Sequence, residues 1–116
     1  ILNGEREAGF SLFSLTEGMD EGPVWAQGTV PIGAADDVAT VLHRLEGAVL
    51  AAVDELVPAI LAGRAAPRPQ DATPPTYCAA RLPDDGQIDF GWAARRCHDF
   101  VRAQSRPYPG AFTTLG

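Results

Sequence analysis

The chain has 116 residues, of which 46% are hydrophobic and 21% charged, with a formal net charge of −6. That balance fits one modest soluble globular domain, and the excess of acid argues against a phosphate backbone as partner. No stretch has the length and apolarity of a membrane span or of a secretory leader, and the two cysteines, Cys78 and Cys97, predict reduced thiols and a cytoplasmic setting rather than a disulfide framework.

In chain order, residues 1–9 carry turn signals, with Gly4 and Gly9 as punctuation. FSLFSL, 10–15, reads as a short strand. The turn TEGMDEGP follows. VWAQGTVPI then alternates: Val24, Ala26, Gly28, Val30 and Ile32 share one face, and Trp25, Gln27 and Thr29 the other. The two runs predict a hairpin whose connecting loop carries Asp20. Residues 36–62 are helical in pattern, with Val38, Val41, Leu42, Leu45, Val49, Val53, Leu56, Val57 and Ile60 at steps of three and four. Asp36 and Asp37 complement its start, Gly63 stops it, and Pro58 should kink or break its last turn. The helix is expected to pack on a sheet.

Residues 63–75 hold four prolines and no periodicity, which predicts a connecting loop. TYCAARL can form a strand, and Asp85-Gly86 is a turn signal before an extended piece. GWAARRCHDFVRAQ predicts a second helix with Ala93, Cys97, Phe100 and Val101 on one face. The chain ends in a loop bearing Pro107, Pro109 and Gly110. Its start resembles the end of a helix and its finish the approach to a strand, so a piece of a longer protein is expected.

Few residues stand out as chemistry. Asp20 lies between Gly18 and Gly22. It fits an active-site carboxylate on a loop that a ligand can approach, but spacing alone favours a turn aspartate bonding its own backbone. His43 and His98, with Cys78 and Cys97, match no compact zinc spacing, so no metal is expected. Neither a Gly-x-Ser-x-Gly elbow nor a Gly-x-Gly-x-x-Gly fingerprint occurs. Among the arginines, Arg95 and Arg96 read as a solvated helix face. Arg102 and Arg106, next to the Pro-Tyr-Pro-Gly loop, are the better candidates for an anionic ligand.

The order of segments carries more than any one of them. ILNGEREAGFSLFSLTEGMDEGPVWAQ, a long helix, PRPQDATPPTYCAARLPDDGQIDF and FVRAQSRPYPGAFT follow one another. The series resembles the formyltetrahydrofolate-dependent formyltransferases, whose pattern runs Asn-Gly-Glu-x-x-x-Gly, Glu-Gly-x-Asp-x-Gly-Pro, Gln-x-x-x-x-x-Thr-Tyr, Pro-x-Asp-Gly-x-Ile-Asp-Trp and Pro-Gly-Ala-Phe. It extends through essentially the whole chain, with Phe90 in place of the usual Trp.

The resemblance implies an α/β fold: a mixed sheet with flanking helices, the carboxyl-side half of a Rossmann-like catalytic domain, with 1–116 as one partial domain. It implies Asp20 as the catalytic aspartate of an Asn-His-Asp constellation, and Gly18, Met19, Asp20, Glu21 and Gly22 beside the donor, 10-formyltetrahydrofolate. Arg81, Asp85, Tyr108 and Phe112 fall on the acceptor side. The Asn and His belong to an upstream segment outside this sequence, so a missing amino-terminal half or a companion chain is the expected partner, and this chain alone would be catalytically incomplete. The acidic charge points to an amine of a small molecule as acceptor: an amino-sugar nucleotide, an ornithine or an amino-acyl group. A formyltetrahydrofolate hydrolase and a non-catalytic folate- or nucleotide-binding module are the alternatives.

Overall fold

A computed structural model describes residues 1–71 and 78–114. In chain order it contains β1 (Glu7–Phe13), β2 (Val24–Pro31), α1 (Val38–Leu61), a single 3-10 turn (Pro83–Gly86) and α2 (Ala94–Ala103). The fold is α/β, as expected. Among the described residues its sheet is a two-stranded antiparallel pair, supplemented by an antiparallel bridge between Val24 and Arg68 and a parallel one between Gln87 and Phe112. The chain divides into two compact units. One takes Ile1–Ala8, Pro31–His43 and the described part of Tyr77–Gly116. The other takes Gly9–Val30 and the described part of Arg44–Thr76.

The second unit contains most of the hairpin. β1 starts three residues earlier than the apolar run suggested, because backbone pairing, not side-chain apolarity, defines a strand. The alternation along β2 is as read: Val24 and Val30 are buried, whereas Gln27 and Thr29 face out. Gly28 serves its neighbour. A Cβ there would lie 2.6 Å from the Phe10 ring, so the missing side chain leaves room for the cross-strand aromatic. After β2 the chain returns through residues 63–71, and Arg68 exchanges both backbone hydrogen bonds with Val24, at 2.7 and 2.8 Å. An irregular proline-bearing loop is thereby fixed to the base of β2.

Helix α1 obeys its terminal signals. The Asp37 carboxylate accepts from the Thr40 backbone N–H at 2.8 Å and from the Thr40 hydroxyl at 2.7 Å. Those two bonds, the backbone one first, hold the Asp37 carboxyl below its usual range. At the other end Gly63 adopts φ +67°, and the Arg64 N–H reaches back to the Ala59 carbonyl at 2.8 Å, closing the helix in a left-handed cap. The expected break at Pro58 is absent: α1 continues through it to Leu61. Pro58 sits in the last turn, where the one carbonyl it leaves without an N–H belongs to exposed Asp54 and can turn to water. The packing expected of α1 is also only partly present. Val41 is its sole buried residue, while Leu50, Val57 and Leu61 stand exposed, Leu61 by 83%.

The first unit is organised by a buried guanidinium. Gly33 and Asp36 close a turn ahead of α1: the Asp36 N–H donates to the Gly33 carbonyl at 3.2 Å, and the Gly33 N–H to the Asp36 carboxylate at 2.6 Å. The carbonyls of both residues then accept from Arg102 Nη1, at 3.0 and 2.7 Å. Arg102 Nε donates to Asp99 Oδ1 at 2.8 Å, and Arg95 Nε to Asp99 Oδ2 at 2.9 Å. The buried face of α2 is therefore Asp99, Phe100 and Arg102; of the apolar set read from the sequence, Phe100 alone is buried. Val101 is exposed, Cys97 half-buried and Ala93 outside the helix as its cap. Helical spacing allowed either face; the acceptors before α1 favour the one bearing Arg102. Trp92 packs edge-on against Phe100 with ring centres 4.9 Å apart, and Arg96 lies over the Trp92 ring at 4.2 Å.

The strand expected over TYCAARL does not form over Cys78–Leu82; its first two residues lie outside the described ones. Leu82 is extended, as a residue before proline must be, but its N–H goes to Asp85 Oδ2 at 2.7 Å rather than to a neighbouring strand. The Asp85-Gly86 turn signal holds, as part of the 3-10 turn. Cys78 and Cys97 are free thiols, and Cys78 is exposed rather than buried. Among the described residues no helix is long and apolar enough to cross a membrane.

Two outcomes follow from this packing. A Cβ at Gly47, within α1, meets nothing within 4 Å, so Gly47→Ala should stabilise the chain by about 0.5–1 kcal/mol in urea unfolding through helix propensity alone. The Arg95 hydrogen bond foremost, and that of Arg102, lower the Asp99 carboxyl from 3.8 to about 2. A carboxyl with a depressed folded pKa contributes stability above its unfolded value and loses it as pH falls to the folded one. Melting temperature should therefore drop between about pH 4 and pH 2, and Asp99→Asn, less stable at neutral pH, should show a shallower drop across that window.

Candidate functional site

The loop between β1 and β2 is built tightly at its base and left open at its tip. At the base, the Ser14 N–H donates to the Pro23 carbonyl at 2.9 Å, and Trp25 Nε1 donates to Ser14 Oγ at 2.8 Å. Gly22 is buried there, and a Cβ on it would sit 1.6 Å from the Ser14 carbonyl oxygen. Only glycine fits. At the tip, Met19 is 85% exposed and Asp20 is exposed with φ 57°. Aspartate is among the few non-glycine residues that tolerate this left-handed conformation. Among the described residues the Asp20 carboxylate makes no hydrogen bond or ion pair, so it is not spent on capping its own turn. What holds the loop is Gln70. Its Nε2 donates to the Asp20 carbonyl at 2.6 Å and to the Gly22 carbonyl at 2.8 Å.

Behind Gln70, the Arg68 guanidinium donates to Gln27 Oε1, and Gln27 Nε2 donates to Ser11 Oγ at 2.9 Å. Val24, Gln27, Arg68, Pro69, Gln70 and Asp71 line a groove of about 450 Å³. Gly18 differs from Gly22: a Cβ there meets only the movable Glu21 side chain.

A concavity of about 360 Å³ lies in the first unit, where Arg81, Leu82, Gln104 and Tyr108 are among the lining residues. Arg81 Nη2 donates to the Asp85 carbonyl at 2.6 Å and to Gln104 Oε1 at 3.2 Å, and its guanidinium lies 5.7 Å from the centre of the Phe100 ring. With its oxygen held by Arg81, Gln104 turns Nε2 into a buried position that has no acceptor among the described residues. The structure thus brings together Arg81 and Tyr108 of the four residues placed on the acceptor side. Asp85 contributes its carbonyl to Arg81 and spends its carboxylate on Leu82. Phe112 packs over Gly86 and bridges Gln87 instead of lining the cavity.

Arg102 is corrected. It is 7% exposed, and its Nε and Nη1 donate to Asp99 and to the Gly33 and Asp36 carbonyls, so its main bonds are structural. Arg106 stays exposed, preceding a cis peptide to Pro107. His98 lies with Nδ1 3.5 Å from Asp99, and no group of metal-ligating side chains forms among the described residues. Residue-type reasoning missed Gln70, Arg68 and Gln104. Gln70 did stand in a quoted family motif, but a contact 48 to 50 residues away in sequence leaves no local signal.

Comparison with known proteins agrees with the motif order. The profile of the formyl transferase C-terminal domain matches residues 82–116. A methionyl-tRNA formyltransferase of Sorangium cellulosum is 41% identical over 118 residues, covering 99% of this chain and 37% of that protein. This chain belongs to the formyltransferase family. It spans well under half the length of that relative, corresponding to its carboxyl-side part. Several solved structures share its fold. HypX from Aquifex aeolicus superposes with a TM-score of 0.80 at 23% identity, over 98% of this chain and 21% of that one. The N-formyltransferase from Helicobacter canadensis, in complex with folinic acid and dTDP-3-aminofucose, gives 0.76 at 19%, over 87% and 38%. The methionyl-tRNA formyltransferase from Clostridium thermocellum gives 0.71 at 20%, over 98% and 48%.

The two loop glycines make a sharp contrast. Gly22→Ala forces its methyl onto a backbone oxygen and should cost about 1–3 kcal/mol or unseat the loop. Gly18→Ala displaces only the end of Glu21 and should change the urea midpoint little.

Proposed function

We propose that the protein containing this chain transfers a formyl group from 10-formyltetrahydrofolate to an amine of a small molecule, and that Asp20 is the residue of this chain that acts on the reacting groups. The observation that carries the proposal is the Asp20 carboxylate. It is exposed, free of partners among the described residues, and held in a left-handed conformation on a glycine-framed loop. A turn residue would use its carboxylate on the turn.

The donor supplies an activated formyl carbon. The chain's own contribution is a fixed negative charge. An ammonium acceptor must lose a proton before it can attack, and a carboxylate steadies the protonated form of the base that takes it, directly or through water. By the family pattern that base is a histidine, with an asparagine to bind the oxyanion, both in the amino-terminal half. Gly18, Met19, Glu21 and Gly22 would border the donor. The loop suits that role, because exposed Met19 offers an apolar surface.

For the acceptor, we assign the 360 Å³ cavity to its binding, with Arg81 and Tyr108 on the wall and Asp85 and Phe112 supporting it from the turn beside it. A cavity of that volume suits a small molecule. The net charge of −6 supports the same reading. Methionyl-tRNA is the second reading, favoured by the 41% identity to a methionyl-tRNA formyltransferase. A cytoplasmic setting goes with either acceptor. The open apolar side of α1, with Leu50, Val57 and Leu61, we assign to packing against the missing amino-terminal half.

The test is a product assay on the complete protein with 10-formyltetrahydrofolate and a panel of amines that includes methionyl-tRNA. One acceptor should become formylated, and Asp20→Asn should lower kcat about 100- to 10,000-fold while the melting temperature holds. Formate alone would replace transfer with hydrolysis. Native and substituted protein that are equally inert yet bind the folate would make Asp20 a turn residue in a binding module.

A further inference from the structure

We infer that Gln70 is a positioning residue for the reaction: its side-chain amide sets the conformation of the loop bearing Asp20. The inference rests on the reading of Asp20 as catalytic. A carboxamide nitrogen carries two hydrogens, and here each has its own acceptor, the Asp20 carbonyl at 2.6 Å and the Gly22 carbonyl at 2.8 Å. Two carbonyls separated by Glu21 are thus turned toward one nitrogen. That fixes the Asp20–Glu21 and Gly22–Pro23 peptide planes, the first of which leaves directly from Asp20, the residue whose φ is left-handed.

The donor is itself anchored. Two residues before Gln70, Arg68 pairs its backbone in both directions with Val24, and its guanidinium donates to Gln27. The order of support runs from β2 to Arg68, from Arg68 to Gln70, and from Gln70 to the loop. Nothing else among the described side chains grips the loop's tip: Ser14 and Trp25 act at its base, and Thr16 reaches only the Gly18 carbonyl, at 3.4 Å. An exposed glutamine adds little to global stability, so the consequence of losing it falls on catalysis, where misplacement by about 1 Å costs on the order of 100-fold.

Three variants of the complete protein separate positioning from packing. Gln70→Met keeps the length and apolar stem and removes the donor. Gln70→Lys keeps a donor able to reach both carbonyls. Gln70→Met is also placed in the Asp20→Asn background. The expected result is a fall in kcat of about 10- to 100-fold for Met, a folate Kd within about threefold of native, recovery of most of the loss by Lys, and no further fall when Met is added to Asp20→Asn. A Met variant with native kcat overturns the inference. So does a Lys variant as impaired as Met, or a loss that adds to that of Asp20→Asn, since either would mark a structural residue. If Met fails to fold, Gln70→Glu, which keeps the shape and replaces the donor with an acceptor, takes its place in both backgrounds. If Asp20→Asn alone retains native turnover, the catalytic reading of Asp20 falls first. Amide exchange at Asp20–Gly22, faster in Met than in native protein if the clamp exists, shows separately whether Gln70 holds the loop.

Discussion

The first unit depends on one planar cation. Arg102 is buried, and a buried guanidinium is tolerable only when its donors are met. Asp99 balances its charge and accepts from Nε, and the Gly33 and Asp36 carbonyls accept from Nη1. The carbonyls belong to the turn that delivers the chain into α1, so a residue 66 to 69 positions away fixes where that helix begins. A buried ion pair adds little net stability, because desolvation offsets much of the attraction. Its contribution is geometric. No apolar substitute of similar volume could orient two carbonyls and a carboxylate together, which is why an arginine occupies the buried face of α2 where an apolar residue would pack as well.

That explains which parts of the fold were legible in the sequence. The alternation of β2, the cap at Asp37, the stop at Gly63 and the Asp85-Gly86 turn all lie within a few residues of the groups they serve, and each held. The misreadings share a different cause. Arg102 read as a ligand arginine because its acceptors are distant in sequence. TYCAARL read as a strand because an extended conformation was visible while the absence of a pairing partner for Leu82 was not. The face of α2 was assigned by hydrophobicity, which cannot see that Arg102 and Asp99 neutralise one another. At the candidate site the same rule applies. The loop and its aspartate were legible from the glycine frame and the order of family motifs, whereas Gln70, which holds them, was not.

The apolar residues left open make a second constraint. Only Val24, Val30, Val41 and Phe100 are buried hydrophobics among the described residues, while Leu50, Val57 and Leu61 of α1 are exposed. Each large aliphatic side chain left in water forgoes roughly 1.5–3 kcal/mol of burial. A 24-residue helix with so much unused apolar surface is shaped for further covering. The closed base of the loop beside its open tip has the same logic: Ser14, Pro23 and Trp25 complete the local structure, and the Asp20 carboxylate is left over for something outside the described residues.

Magnitudes then decide what keeps that carboxylate in place. A non-glycine residue in the left-handed region costs about 1–2 kcal/mol, less for aspartate than for most. Each net hydrogen bond from Gln70 returns about 0.5–1.5 kcal/mol, toward the lower end at an exposed site. The two quantities are close. The loop is therefore held by a margin comparable with thermal energy, enough to favour one conformation and too little to freeze it. A weaker support would let Asp20 relax to the right-handed region and turn its carboxylate elsewhere. The loop keeps its placement because a single amide nitrogen, anchored through Arg68 to β2, serves two carbonyls.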